Sequence, residues 1–338
     1  MNIPKEELLS ALDKISGISV LVVGDLILDR YIWGAVDRIS PEAPVPIVNV
    51  MRTEDRSGGA GNVVNNLVNL GVRVQISGFI GDDTEGKILS SIFDSQKVNR
   101  EGIIKLESRP TSLKTRVIAQ RQQIVRIDRE QTSSPGNALC EGLAAVVTAQ
   151  LDSVNAVIVS DYGKGSISEP VLMKLSNARK NGILNISKKP LVLDPHPKNY
   201  SIYNGFSVVK PNRKEAEAAS GITISNEVTA IKAADIIRKK WNVDLVIITM
   251  GEDGLLLSPA SGKSVLLETE ALEVFDVSGA GDTVTAVYTA AVASGSSTEI
   301  AGHLANLAAG VVVAEVGTVP ITLEGLKNHI VKVYKLEN

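Results

Sequence analysis

One cysteine, Cys140, and three histidines stand in 338 residues. A lone thiol cannot close an internal disulfide and offers no cysteine-based metal site, which fits a reducing, cytoplasmic setting. His196, His303 and His329 are scattered with no metal-ligand spacing, so each is expected to be structural. Aromatic residues make up 4% of the chain, too few for a base-stacking platform. Positive charge is not in excess: 35 Lys and Arg face 38 Asp and Glu for a net charge of -3, which argues against a broad footprint for DNA or RNA. No apolar run approaches the ~20 residues of a membrane-spanning helix. Residues 1–15, with Lys5, Glu6, Glu7, Asp13 and Lys14, read as a short amphipathic helix rather than a signal peptide, so a soluble protein is expected. Two nucleotide motifs are also missing. No Gly-x-Gly-x-x-Gly follows the first strand, and the Gly262-Lys263-Ser264 run has Leu257 where a P-loop needs its first glycine.

What is present is a rhythm. Val20-Leu21-Val22-Val23, closed by Gly24-Asp25, is the pattern of a strand buried on both faces, and similar runs recur at 74–80, 156–160, 191–193, 207–209 and 245–249. Helical patterns lie between them, at 62–70, 138–151, 169–181 and 227–241. Alternation of this kind predicts an α/β fold with a mostly parallel sheet covered on both faces, and ligands at the carboxyl ends of its strands. Two stretches break the rhythm, about 31–51, with Pro41, Pro44 and Pro46, and about 103–128, rich in Arg and Gln. They are expected to be strands outside the main sheet, forming a small β lid; ordinary surface hairpins are the alternative. No repeat or low-complexity linker divides the chain, so a single domain over 1–338 is expected.

The most informative stretch is Phe275-Asp276-Val277-Ser278-Gly279-Ala280-Gly281-Asp282-Thr283, which runs into an Ala/Val-rich helical segment. Gly279, Ala280 and Gly281 bring little bulk, so their amides can approach an anion at a helix N-terminus. An aspartate there suits proton abstraction from a hydroxyl about to attack phosphorus; a plain helix cap is the alternative. Asp25 and Asp29 follow the first strand and could accept hydrogen bonds from a polyol, or serve turn chemistry. Gly58-Gly59-Ala60-Gly61-Asn62 opens a helix where Asn62 offers a donor and an acceptor. In Lys210-Pro211-Asn212-Arg213-Lys214-Glu215, Asn212 and Glu215 suit a hydrated Mg²⁺ between phosphates, or a capping-box relative. Thr249-Met250-Gly251-Glu252-Asp253-Gly254 suits a nucleotide rim. Asn306, on a helix of small residues, suits an adenine or close helix packing.

The order of these motifs resembles that of the ribokinase-like (PfkB) sugar kinases across essentially the whole chain, most specifically over 276–283. Within that family the chain is similar to the kinases of D-glycero-β-D-manno-heptose 7-phosphate, the kinase half of the bifunctional enzyme of ADP-heptose synthesis for bacterial lipopolysaccharide. The residues carrying that likeness include Arg38-Ile39-Ser40-Pro41-Glu42-Ala43-Pro44-Val45-Pro46, Ser160-Asp161-Tyr162-Gly163-Lys164-Gly165 and Ala309-Gly310-Val311-Val312-Val313. The resemblance implies a three-layer α/β/α domain and transfer from ATP to an anomeric hydroxyl. It implies Asp282 as base and Gly279, Ala280 and Gly281 as anion hole. Asn212 and Glu215 would organise Mg²⁺, while Lys210, Thr249, Gly251, Gly254 and Asn306 line the nucleotide. Asp25, Asp29, Gly58, Gly59 and Asn62 would grip the sugar, and Asp276 with Ser278 would hold a monovalent cation such as K⁺. A phosphorylated substrate needs a cationic clamp, for which Arg38, Lys114, Arg116, Arg121, Arg126 and Lys164 are candidates, Arg116 and Lys164 foremost. The same motifs also fit a kinase for another sugar or nucleoside, or a non-catalytic nucleotide sensor. The absence of a His-x-Gly-His motif leads to the expectation of a separate nucleotidyltransferase, and lid edges that need pairing predict a homodimer.

Overall fold

Runs of Val, Ile and Leu too short for helices become strands, and the longer stretches between them, with apolar residues every three to four positions, become helices. The computed structural model describes residues 3–120, 122–269, 277–315 and 318–336. The first half of the chain gives α1 (Lys5–Asp13), β1 (Ser19–Gly24), β2 (Leu26–Ile39), β3 (Pro46–Gly59), α2 (Ala60–Asn69), β4 (Arg73–Gly81), α3 (Thr84–Ser95) and β5 (Asn99–Leu106). There follow β6 (Ser112–Ala119), β7 (Gln122–Arg129), α4 (Asn137–Gln150), β8 (Ala156–Ser160), α5 (Glu169–Lys180), β9 (Leu191–Asp194) and β10 (Val208–Val209). The remainder gives α6 (Arg213–Ser220), α7 (Glu227–Trp241), β11 (Leu245–Thr249), β12 (Leu255–Pro259), β13 (Val265–Leu267), α8 (Ala280–Ala293), α9 (Thr298–Val312) and α10 (Leu323–Leu336).

Nine of these strands form one sheet in the order β13-β12-β11-β10-β9-β8-β1-β4-β5. All neighbours from β11 to β5 are parallel, and β12 and β13 add an antiparallel edge. Successive side chains of each strand feed opposite cores. Val20, Val22, Ile158, Val192 and Ile247 pack on the side of α2, α8 and α9, whereas Leu21, Val23, Val159, Leu193 and Ile248 pack on the side of α4, α5 and α7. The α/β expectation is borne out, and burial on both faces explains why these strands read as continuous apolar runs.

A second sheet, in the order β3-β2-β6-β7, stands apart from the first. Two crossings lie side by side at its root. β1 passes into β2 through the single residue Asp25, and β3 passes at Gly59 straight into α2. The Ala60 N–H donates to the Asp25 carbonyl at 3.0 Å, tying the two crossings together. Gly59 takes φ 58° there, and a Cβ would lie 2.6 Å from the Asp25 carbonyl oxygen, so glycine is required. The stretch 103–128 does not lie wholly in this sheet: residues 103–106 belong to β5 and pair with β4 of the large one. Along the carboxyl edge of the large sheet stand, strand by strand, Asp25, Asp161, Asp194, Lys210 and Thr249.

Candidate active site

Helix α8 begins at the glycine-rich loop. Gly279 is its N-cap in the left-handed region, at φ 83°, and Asp282 lies in its first turn. The Ala280 N–H turns to the Val277 carbonyl at 3.3 Å, while those of Gly281 and Asp282 have no backbone acceptor among the described residues. The glycines make room for two side chains from other elements. A Cβ on Gly279 would lie 2.8 Å from Asn62 Nδ2, and one on Gly281 would lie 3.1 Å from Lys210 Nζ. Asp282 is buried between them. Its Oδ2 accepts from Asn62 Nδ2 at 2.7 Å and its Oδ1 from the Tyr162 hydroxyl at 2.7 Å. Burial, then the nearby Asp194 carboxylate, push Asp282 up to about 6, against the opposing pull of Asn62, Tyr162 and Lys210.

Lys210, which follows β10, is 3% exposed and meets Asp194 Oδ1 at 3.1 Å. Burial works against its charge, but Asp194, Glu215 and Asp282 outweigh it and raise its pKa. At the start of α6 the capping box is complete. Asn212 Oδ1 accepts from the Glu215 N–H at 3.0 Å, and Glu215 Oε2 accepts from the Asn212 N–H at 2.8 Å. Burial, with Lys210 opposing and Asp194 assisting, raises Glu215. Asn212 also bridges to Thr249, bringing the ends of β10 and β11 together.

On the other flank, Asp29 is buried on β2 and accepts from Arg116 Nη1 at 2.6 Å. A Cβ on Gly58 would sit 2.1 Å from Asp29 Oδ2, so glycine there is what allows the carboxylate its position. Register sets which neighbours share its face. Asp29 pairs with Arg56 and Lys114, Tyr31 with Glu54 and Arg116, Trp33 with Arg52, Lys114 with Asp128, and Arg116 with Arg126. That face therefore carries five cations against three carboxylates. Arg56 and Arg116 both lie against the Tyr31 ring, at 5.2 and 5.3 Å from its centroid. Arg56 also donates to the Thr318 carbonyl at 3.1 Å, and Thr318 borders Gly279.

Asp25 is used differently from the other carboxylates. Its oxygens accept from the N–H groups of Tyr162, Lys164 and Ser166, each at 2.9 Å, so it builds the loop after β8. The Lys164 ammonium is paired with Glu130 at 2.5 Å. Arg38 stands apart, exposed toward the far end of β2. Eight residues of strand lie between it and Asp29, about 30 Å at the usual rise. Arg121 and Asp276 lie outside the described residues, and Ser278 is exposed just before α8.

A cleft of about 400 Å³ opens beyond β11, lined by Arg213, Asn226, Met250, Asp253, Leu266 and Glu268 among others. Gly251 and Gly254, both with positive φ, shape the turn at its rim, and a Cβ on Gly254 would strike the Leu267 carbonyl oxygen at 2.0 Å. Asn306, buried on α9, donates to the Glu268 carbonyl at 2.7 Å and so holds one wall. Sequence reasoning does not single out Asp194, Tyr162 or Arg56 as site residues. The first two have a positional signal, since Asp194 ends β9 and Tyr162 lies two residues beyond β8, whereas Arg56 is found only through strand register.

A buried carboxylate able to draw a proton thus shares its pocket with a buried lysine able to meet phosphate, and a cleft of nucleotide dimensions lies further along the same sheet edge. The fold around them is that of the ribokinase-like kinases. Phosphofructokinase-2 from Escherichia coli superposes with a TM-score of 0.75 at 17% identity, covering 94% of this chain and 99% of that one. Arabidopsis thaliana ribokinase, complexed with ribose and ATP, superposes with a TM-score of 0.69 at 18% identity, covering 94% and 99%. At such identities the likeness speaks for the fold alone. Sequence takes it further: residues 18–324 match the pfkB family carbohydrate kinases, and the chain belongs to that family. Membership implies ATP and a divalent cation. The chain is 45% identical over 302 residues to the "Bifunctional protein HldE" of Geobacter sulfurreducens and 42% identical over 315 residues to that of Citrifermentans bemidjiense. These matches cover 89% and 93% of this chain but 60% and 63% of the relatives, so the chain spans about three-fifths of their length. Among the described residues no helix is long and apolar enough to cross a membrane.

Proposed function

We propose that this chain transfers the γ-phosphoryl group of ATP to the anomeric hydroxyl of D-glycero-β-D-manno-heptose 7-phosphate, giving the 1,7-bisphosphate and ADP. The observation that carries the reading is the Asp282 carboxylate, buried with Asn62 on one side and Lys210 near the other. Asp282 takes the hydroxyl proton as that oxygen attacks the γ-phosphorus, and the bond from phosphorus to the ADP oxygen breaks. Lys210 and the first-turn amides of α8 meet the charge on the transferred group, so positioning and electrostatics supply most of the catalysis. Asn62 and Asp29, the latter seated by Gly58, hold sugar hydroxyls. Thr249, Gly251, Gly254 and Asn306 shape the nucleotide side.

Mg²⁺ suits the residues present. One Glu215 carboxylate oxygen lies outside the capping box, and no group of three or more His, Cys, Asp or Glu offers a protein cage among the described residues. A hydrated ion held mainly by phosphates needs few protein ligands, and when bound it neutralises their charge. The cationic face of the small sheet, with Arg56 and Arg116 around Tyr31, supports a substrate that already carries a phosphate. That sheet is proposed as a lid. Its edge strand β7 is exposed throughout, with Ile127 at 56% exposure, and is the proposed seam of a homodimer.

Steady-state rates over a panel of sugars, nucleosides and sugar phosphates test the reading, with products identified by phosphorus NMR. The highest kcat/KM is expected on the heptose 7-phosphate, with a new anomeric phosphate resonance. A clear preference for an unphosphorylated sugar would remove this substrate while leaving the kinase chemistry in place.

A further inference from the structure

The loop 162–166 is built around a carboxylate and aims a phenol at another. Asp25 fixes the backbone through the amides of Tyr162, Lys164 and Ser166. Asp161 adds a bond from the Gly163 N–H at 2.7 Å and is itself held by Asn199 and Tyr203, each at 2.6 Å. Four amides of one short loop are thus tied to two buried carboxylates, and Lys198 Nζ caps the Gly163 carbonyl at 3.1 Å. The residue this framework presents to the site is Tyr162, whose hydroxyl donates to Asp282 Oδ1 at 2.7 Å. A carboxylate oxygen has a second lone pair, so this bond leaves room for a substrate hydroxyl on the same oxygen.

We propose that Tyr162 is a positioning residue, whose hydroxyl keeps Asp282 ionised and aimed at the attacking oxygen. The proposal rests on Asp282 being the base. The groups facing that carboxylate are Asn62 from α2, Tyr162 from the loop after β8, Asp194 from the end of β9 and Lys210 from beyond β10. Asp194 disfavours the charge, while Asn62, Tyr162 and Lys210 favour it. Tyr162 is suited to be a constant donor. Burial, then Asp282 and Asp194, raise its own pKa well above the ordinary value, so it keeps its proton throughout the working range. Asp25, through the loop it organises, stands one residue away from the base it never touches.

The test is the pH dependence of kcat/KM for the sugar in Tyr162→Phe, with ATP saturating. Removing a donor to a charged group is expected to move the acid limb upward by about one pH unit. The variant then falls about fivefold below the wild type at pH 6 and converges with it near pH 8.5. A parallel loss at every pH, or an unmoved midpoint, would mean that the tyrosine only fills space and overturns the proposal. If Tyr162→Phe does not fold, 3-fluorotyrosine placed at position 162 is a stronger donor and is expected to lower the midpoint; no movement overturns the proposal equally. Asp282→Asn, assayed alongside, separates the two readings. Turnover retained in that variant removes the base and this proposal together, whereas turnover lost there with an unmoved midpoint in the Tyr162 variants removes only the tyrosine's role.

Discussion

Asp282 sits at a position that costs the fold. Burial and Asp194 lift it from an ordinary value near 3.8 to about 6, and burial and Asp25 do the same to Asp161. The folded protein therefore takes up these protons at a pH where the unfolded chain has already released them. Between about pH 4 and pH 6 each group makes stability fall as pH rises, by up to about 3 kcal/mol, with no further change above that window. Asp282→Asn removes one such group. It is expected to lower kcat by ~10²–10⁴ with ATP affinity little changed, and to flatten the pH dependence of Tm between pH 4 and 6. Near-wild-type turnover, or an unaltered slope by calorimetry, contradicts the assignment. At this scale Asp282 and Asn62 were legible because small-residue loops frame them in the sequence. Asp194 and Tyr162 were not, because their importance comes from the order of strands in the sheet, which the chain does not spell out locally.

Among elements, the large sheet was the most legible. The runs at 156–160 and 245–249 coincide with β8 and β11, since strands buried on both faces leave unbroken apolar stretches. The antiparallel pair β12 and β13 opens on comparable short runs, Leu255-Leu256-Leu257 and Val265-Leu266-Leu267, which the sequence reading does not single out. At α6 the reciprocal cap of Asn212 and Glu215 is formed and still leaves one carboxylate oxygen outside it, so the cap reading does not exclude the metal one. The small sheet shows the limit most clearly, because a face is defined by register, and register needs both strands at once. The pairing of Asp29 with Arg56 puts that arginine on the same face as Asp29 and Arg116. Arg56→Gln is expected to raise KM for the phosphorylated sugar about 10- to 100-fold, as befits a lost charge-assisted bond, and to leave KM for ATP unchanged. An equal effect on an unphosphorylated analogue would show that the arginine supports the fold and not the phosphate.

For the molecule as a whole, an exposed edge strand bearing Ile124, Val125 and Ile127 is a surface that asks to be paired. Sedimentation at micromolar concentration is expected to give a dimer, and Ile127→Lys, facing the seam, a monomer; a wild-type chain that sediments only as monomer contradicts the proposed seam. The adjacent crossings at Asp25 and Gly59 have a consequence for how such a protein diversifies. Everything between them is an excursion that departs and returns through one knot, and the knot is bonded through Asp25 to the loop that carries Tyr162 to Asp282. Segments grafted from a relative into this excursion are expected to leave Asp282 and the start of α8 in place as long as both boundary residues are retained, while Arg116 on β6 and Asn62 on α2 stay outside the graft.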